Sequence, residues 1–192
     1  EDSMNTVANN TVCLDGLNLF YREAGSRKDP TILLLHGFPN SSFMFRDVIR
    51  PLAEQAHVIA PDMPGYGFSD SPLPSEFSYT FDSLMDKIHQ LLARLEIGKF
   101  FILLHEFGCP VGYRLALGEP ERILGLIVQI GNSHMEGLGD IWKQSFEYWA
   151  DPTEEKRSKF TPWMTPEGTR GTICMGHAGQ ADTYYPPGML AS

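Results

Sequence analysis

FILLHEFGCP, residues 101–110, decides how this chain is read. An apolar run, Phe101–Leu104, stops at His105 and Glu106 and turns at Gly108. A hydrophobic core has no use for a charge at that point, because an unpaired buried carboxylate is costly. The pattern is that of a strand turning sharply into a helix, with Glu106 held exposed and strained at the tip. The helix Phe107–Leu117 tolerates Pro110, since a first turn needs no backbone donor there. Its N-terminal dipole and free N–H groups favour an anion at the tip. Taken alone, Glu106 also reads as an ordinary acid at a helix N-terminus.

Working outward, Leu17–Tyr21, Thr31–Leu35, His57–Ala60, Lys99–Leu104 and Leu124–Ile130 read as strands. The last four are short apolar runs bounded by turn residues, which suits strands buried on both faces of a parallel sheet. Helical spacing occupies Phe43–Leu52 and Thr80–Leu95. In the second, Phe81, Leu84, Met85, Ile88, Leu91, Leu92 and Leu95 share one face, with Thr80 as N-cap. Strands alternating with helices predict an α/β fold, a doubly wound and mostly parallel sheet. After Asn132 the texture changes. Short helices over Glu136–Tyr148 and Thr153–Lys159 carry Trp142, Tyr148 and Trp149, and from Thr161 the chain is rich in Gly, Pro and Thr. The expected division is a core over 1–132 and a helical or irregular segment over 133–192.

The 192 residues, 42% of them apolar, supply a substantial core. Net charge is −9, and no Lys/Arg cluster forms a patch, so neither nucleic acid nor membrane is an expected partner. Three unpatterned cysteines, Cys13, Cys109 and Cys174, favour a reducing compartment, and no signal sequence opens the chain, so the expected location is cytoplasmic. Met4 fits a native start. Asn9 and Asn40 head glycosylation sequons that match by chance in a chain without a secretion signal.

In sheets of this kind, sites form at the carboxyl ends of strands. Three such ends carry suggestive residues. His36–Gly37–Phe38–Pro39 lets the backbone turn so that the Phe38 N–H faces a crevice; an ordinary Gly-Pro turn is the competing reading. Ala60–Pro72 is dense in Pro and Gly and reads as a rigid loop capped by Asp62 and Asp70. The third is the Glu106 tip, where the N–H groups of Phe107 and Phe38 would together form an oxyanion hole.

These three pieces, in this order, resemble the α/β-hydrolase superfamily, in particular its epoxide hydrolase and haloalkane dehalogenase branch. HGFPNSSFMFRDVIRPLAEQAHVIAPDMPGYGFSDSP and GCPVGYRLALGEPERILGLIVQIGN are similar to that branch almost throughout. The resemblance covers residues 14–165, and EGLGDIWKQSFEYWADPT resembles the start of the branch's helical cap. It implies an α/β-hydrolase-like fold with the C-terminal strands absent. It also implies a cofactor-independent hydrolase of a small apolar epoxide, halide or ester. Glu106 stands at the nucleophile position, Phe38 and Phe107 supply oxyanion-hole amides, and a His-activated water hydrolyses the ester intermediate. His36, His105 and Trp142 are candidate substrate-lining residues.

Two departures from the branch stand out. Glu replaces Asp, adding roughly 1.5 Å of reach. The strands that normally carry the catalytic His and its acid partner are also not evident, and His177, the last histidine, lacks the strand context expected of a catalytic base. A catalytically impaired or non-hydrolytic protein, or a truncated form, is therefore the alternative, with a homodimer covering the exposed sheet edge. Cys109, near a helix N-terminus that would lower its pKa, competes as nucleophile, or is simply a small residue where helix packs on sheet. No metal-ligand spacing and no Gly-rich phosphate loop occurs, so no cofactor or metal is expected.

Overall fold

The sheet opens with a hairpin that hydrophobic periodicity does not reveal. In the computed structural model, which describes residues 6–160, 162 and 165–168, β1 (Ala8–Leu14) pairs antiparallel with β2 (Leu17–Ala24). Asp15 and Gly16 close it at φ 50° and 82°, the two left-handed positions of a tight hairpin turn. β1 is largely exposed, so it carries no apolar alternation. Met4, Cys174 and His177 lie outside the described residues.

β3 (Thr31–Leu35), β4 (His57–Pro61), β5 (Phe100–His105) and β6 (Ile123–Gln129) follow the expected runs closely. The strand order is β1-β2-β4-β3-β5-β6. β2 meets β4 antiparallel, while β4, β3, β5 and β6 run parallel. From β3 the chain moves first to β4 on one side and then to β5 on the other. The loops leaving β3 and β5 therefore part at a topological switch point, where crevices form.

Helices cover both faces. α2 (Phe81–Arg94) starts where Thr80 Oγ1 accepts the Ser83 N–H at 3.2 Å. It buries Leu84, Ile88, Leu91 and Leu92 against Leu33, Leu35, Phe100, Ile102 and Leu104, together with Val111 and Leu115 of α3 (Gly108–Gly118). Each such side chain contributes about 1.5–3 kcal/mol of transfer free energy. On the other face Phe45 and α1 (Arg46–Ala53), through Ile49 and Ala53, cover Leu34, Val58 and Ala60. The expected helix Phe43–Leu52 begins instead as a 3-10 turn, Ser42–Phe45, because the Ser41 hydroxyl caps it by accepting the Phe43 N–H.

β6 departs from the burial expected of it. Leu126, Ile127 and Val128 are 42%, 52% and 47% exposed, since only β5 flanks the strand among the described residues. The chain divides into two compact units, Glu1–Ser133 and His134–Ser192. In the second, 3-10 turns at Met135–Gly137 and Asp140–Trp142 precede α4 (Lys143–Ala150), where one helix from Glu136 was expected. Gly137 and Gly139 are poor helix formers and break it. α5 (Glu154–Ser158) is capped by Thr153. No described helix is long and apolar enough to cross a membrane.

Candidate active site

β5 ends at His105, α3 begins at Gly108, and Glu106 makes the turn between them. Its φ of 47° is left-handed, which costs a non-glycine residue about 1–2 kcal/mol. Local bonds hold it there. The Glu106 N–H donates to the Gln129 carbonyl at 3.3 Å, and its own carbonyl accepts the Cys109 N–H at 2.9 Å. Two glycines make room. A Cβ on Gly108 would meet the Leu35 carbonyl, and one on Gly37 would lie 2.6 Å from Glu106 Cβ and 2.8 Å from its Oε2.

The side chain folds back over this turn. Glu106 Oε2 accepts the Phe38 N–H at 2.8 Å and the Phe107 N–H at 2.6 Å. Oε1 accepts no hydrogen bond among the described residues. The extra methylene of Glu thus does not carry the carboxylate past the two amides; the chain curls and absorbs it. Burial pushes the Glu106 carboxyl above the usual glutamate range, and the two amides pull it back only in part.

The Phe38 amide is placed by a lock between two loops. His36 is fully buried; its Nδ1 bonds the Gly37 carbonyl at 3.1 Å, and its Nε2 accepts the Met63 N–H at 3.0 Å. Buried Asp62 takes the Ser42 N–H at 2.6 Å on one oxygen and the Phe68 N–H at 2.9 Å on the other. Asp70 accepts the Asn18 N–H at 2.8 Å. The two aspartates cap the loop as expected. His36 corrects the sequence reading. Both ring nitrogens are spent on backbone and none of its surface is open, so it is scaffold and not a substrate-lining group.

His105 is partly exposed with Nδ1 3.3 Å from Gln129 Oε1, and no hydrogen bond joins it to Glu106. Burial lowers its pKa below the ordinary histidine value. Trp142 belongs to the second unit, its ring centroid 6.0 Å from that of Trp149. Cys109 is buried, and its thiol is pushed up to about 11 by burial and then by the Glu106 charge. That outweighs the helix N-terminus and leaves a protonated thiol at neutral pH, reversing the lowered pKa expected of it.

Sequence reading missed two residues. Gln129 touches the elbow twice, through its carbonyl and its side chain. Tyr66 packs edge-on to His36 at 5.0 Å, and burial, then the Glu106 charge, raise its phenol to about 12. Its signal was the flanking pair Gly65 and Gly67, both at positive φ (87° and 54°).

Comparison with known proteins matches residues 30–165 to the alpha/beta hydrolase fold family. The uncharacterized hydrolase YNR064C of Saccharomyces cerevisiae is 46% identical over 170 residues, which cover 86% of this chain and 57% of that protein. Epoxide hydrolase 4 of Mus musculus is 38% identical over 113 residues, 59% of this chain and 31% of its own length. A loop variant of the haloalkane dehalogenase DbeA from Bradyrhizobium elkanii superposes at a TM-score of 0.65 with 27% identity, over 90% of this chain and 56% of that one. The chain thus spans from about a third to just over half the length of these relatives.

Proposed function

The chain belongs to the alpha/beta hydrolase fold family, and on that premise we propose that it opens small apolar epoxides through a covalent ester on Glu106. The observation that carries this reading is the unequal state of the two carboxylate oxygens. Oε2 is bound by both amides, and Oε1 is unbonded and holds the lone pair that attacks. Attack at a tetrahedral carbon forms the C–Oε1 bond and breaks the epoxide C–O bond, and the departing alkoxide takes a proton from solvent water. Oε2 becomes the ester carbonyl oxygen. When water then adds to Cδ, negative charge develops on Oε2, where the Phe38 and Phe107 amides already stand. Collapse returns the carboxylate and releases a diol.

The same arrangement weighs against other substrates. Carbonyl attack on an ester needs vacant amides for the substrate's oxygen, and Glu106 fills them. A departing halide gains no side-chain N–H from Phe38 or Phe107, which carry only hydrocarbon rings. Free thiols at Cys13 and Cys109 support residence in the cytoplasm.

Intact-mass measurement after incubation with a small epoxide tests the reading. Addition of one epoxide mass, mapped to Glu106 and lost in Glu106→Gln by at least about 1000-fold in rate, is the expected result. An unmodified wild-type protein, or equal labelling of the variant, overturns it. A second reading, alkylation or ligand binding without turnover, is favoured by one observation: no histidine among the described residues bonds Glu106. Under that reading the ester accumulates and no diol appears.

A further inference from the structure

Phe107 serves two places at once. Its N–H holds Glu106 Oε2, while its ring lines a cleft of about 350 Å³ together with Met63, Tyr66, Tyr79, Phe81 and Leu84. We propose that this cleft is the subsite for an aryl group on the substrate, with the Tyr66 hydroxyl donating to an oxygen beside the ring. The proposal rests on the epoxide-opening reading for its substrate, though the cleft can be tested without it.

Size comes first. Cavities of about 150 Å³ take up benzene, and small-ligand sites begin near about 300 Å³. The cleft is therefore large enough for a substituted aromatic ring. Its walls suit such a ring. Phe81 and Phe107 meet edge to face at 5.7 Å and 81°, and Phe107 lies 5.9 Å from Phe38 beyond. An aryl group entering between these rings and the two tyrosines finds the tilted and edge contacts that aromatic quadrupoles prefer. Met63 and Leu84 are core residues, 1% and 7% exposed, so the floor is fixed by the fold.

Charge and hydrogen bonding narrow the ligand further. At the rim Arg114 pairs with Asp82 at 2.5 Å, bonds the Pro110 carbonyl at 3.0 Å and lies over the Phe81 ring at 5.6 Å. Its charge is answered locally, which favours a neutral ligand. Tyr79 is also committed, its hydroxyl donating to the Pro72 carbonyl at 2.8 Å. The Tyr66 hydroxyl makes no hydrogen bond among the described residues. Thr80, the other lining hydroxyl, is engaged with Ser83, so Tyr66 is the polar handle left for a ligand, and a half-buried O–H gains by meeting an acceptor. The Glu106 charge acts on this phenol, placing handle and nucleophile within electrostatic reach. The chemistry that satisfies all of this is a neutral aryl group with an oxygen one or two bonds away.

The test is NMR titration of the 192-residue chain, labelled at its aromatic residues, with benzyl alcohol and with toluene. Ring signals of Tyr66, Tyr79, Phe81 and Phe107 are expected to shift together at millimolar ligand. Tyr66→Phe is expected to weaken benzyl alcohol about threefold to tenfold and to leave toluene unchanged. Phe81→Trp, which fills the cleft, is expected to abolish binding of both. Tyr79→Ala, at an exposed side chain, is expected to weaken both and serves if the Trp variant does not fold. Shifts centred elsewhere, or affinities unaltered in Phe81→Trp and Tyr79→Ala, overturn the proposal. Equal weakening of both ligands by Tyr66→Phe overturns the hydrogen bond. Binding is read without turnover, so an absent ester on Glu106 defeats the epoxide reading and leaves this result standing.

Discussion

Glu106 and His36 answer pH in opposite directions, though both are held by the same loop. The carboxyl of Glu106 is raised by burial, and in the proposed reaction only its ionised form attacks. Ester formation is therefore expected to climb as pH rises through this raised value, later than for an ordinary glutamate; mass-spectrometric labelling rates across pH check it. For stability the sign reverses. A carboxyl with its folded pKa raised contributes fully below its unfolded value, near 4.5, and loses that contribution as pH rises through the folded one. Glu106→Gln is accordingly expected to raise the melting temperature at neutral pH by a few degrees, and to match wild type in acid. The pKa of His36 is lowered, chiefly by burial, from about 6.5. Its contribution is full above that value and is lost as pH falls. His36→Gln is expected to cost about 2 kcal/mol through its two backbone bonds and to flatten the acid-side loss in a melting series. The turn positions of Glu106, Phe38 and Phe107 were legible because each follows closely on a recognisable strand. Gln129 and Tyr66 were not, because only the folded sheet brings them to the elbow.

At the scale of elements, the turn after β5 works because the turn after β3 leaves it room. Gly37 faces Glu106 so closely that a methyl group would displace its Cβ or Oε2. Gly37→Ala is expected to keep the fold, whose core lies elsewhere, and to slow the proposed ester formation about 100-fold. That is the cost of roughly 1 Å of misplacement, read by circular dichroism beside labelling rate. The strands around this turn were readable from sequence because burial on both faces imposes unbroken apolar runs. β1 was not: it lies at an edge, and its one local signal is Asp15–Gly16, the dipeptide that turns the hairpin. The second unit departs in the other direction, since Trp142 and Trp149 sit at helical spacing while Gly137 and Gly139 break the expected helix before it reaches Trp142.

For the whole molecule the telling surface is β6. Leu126, Ile127 and Val128 stand well exposed on a strand with a free edge among the described residues, and such an edge invites pairing. The chain is expected to self-associate and to bind a hydrophobic dye. Leu126→Lys with Val128→Lys is expected to shift it to monomer in sedimentation and to reduce dye binding severalfold. A wild-type monomer that binds no dye would show the edge already covered. The acidic balance of the chain, −9, opposes loose aggregation and leaves edge pairing as the specific route.

Fluorophosphonate probes label serine hydrolases by finding a hydroxyl nucleophile and resting a phosphoryl oxygen on two vacant amides. At this elbow a carboxylate stands where the hydroxyl would be, and its own oxygen occupies both amides. The chain is expected to pass unseen through serine-directed activity profiling despite its fold. Under the proposed reaction, a reagent that captures it would carry an electrophilic tetrahedral carbon in place of a phosphoryl or acyl centre.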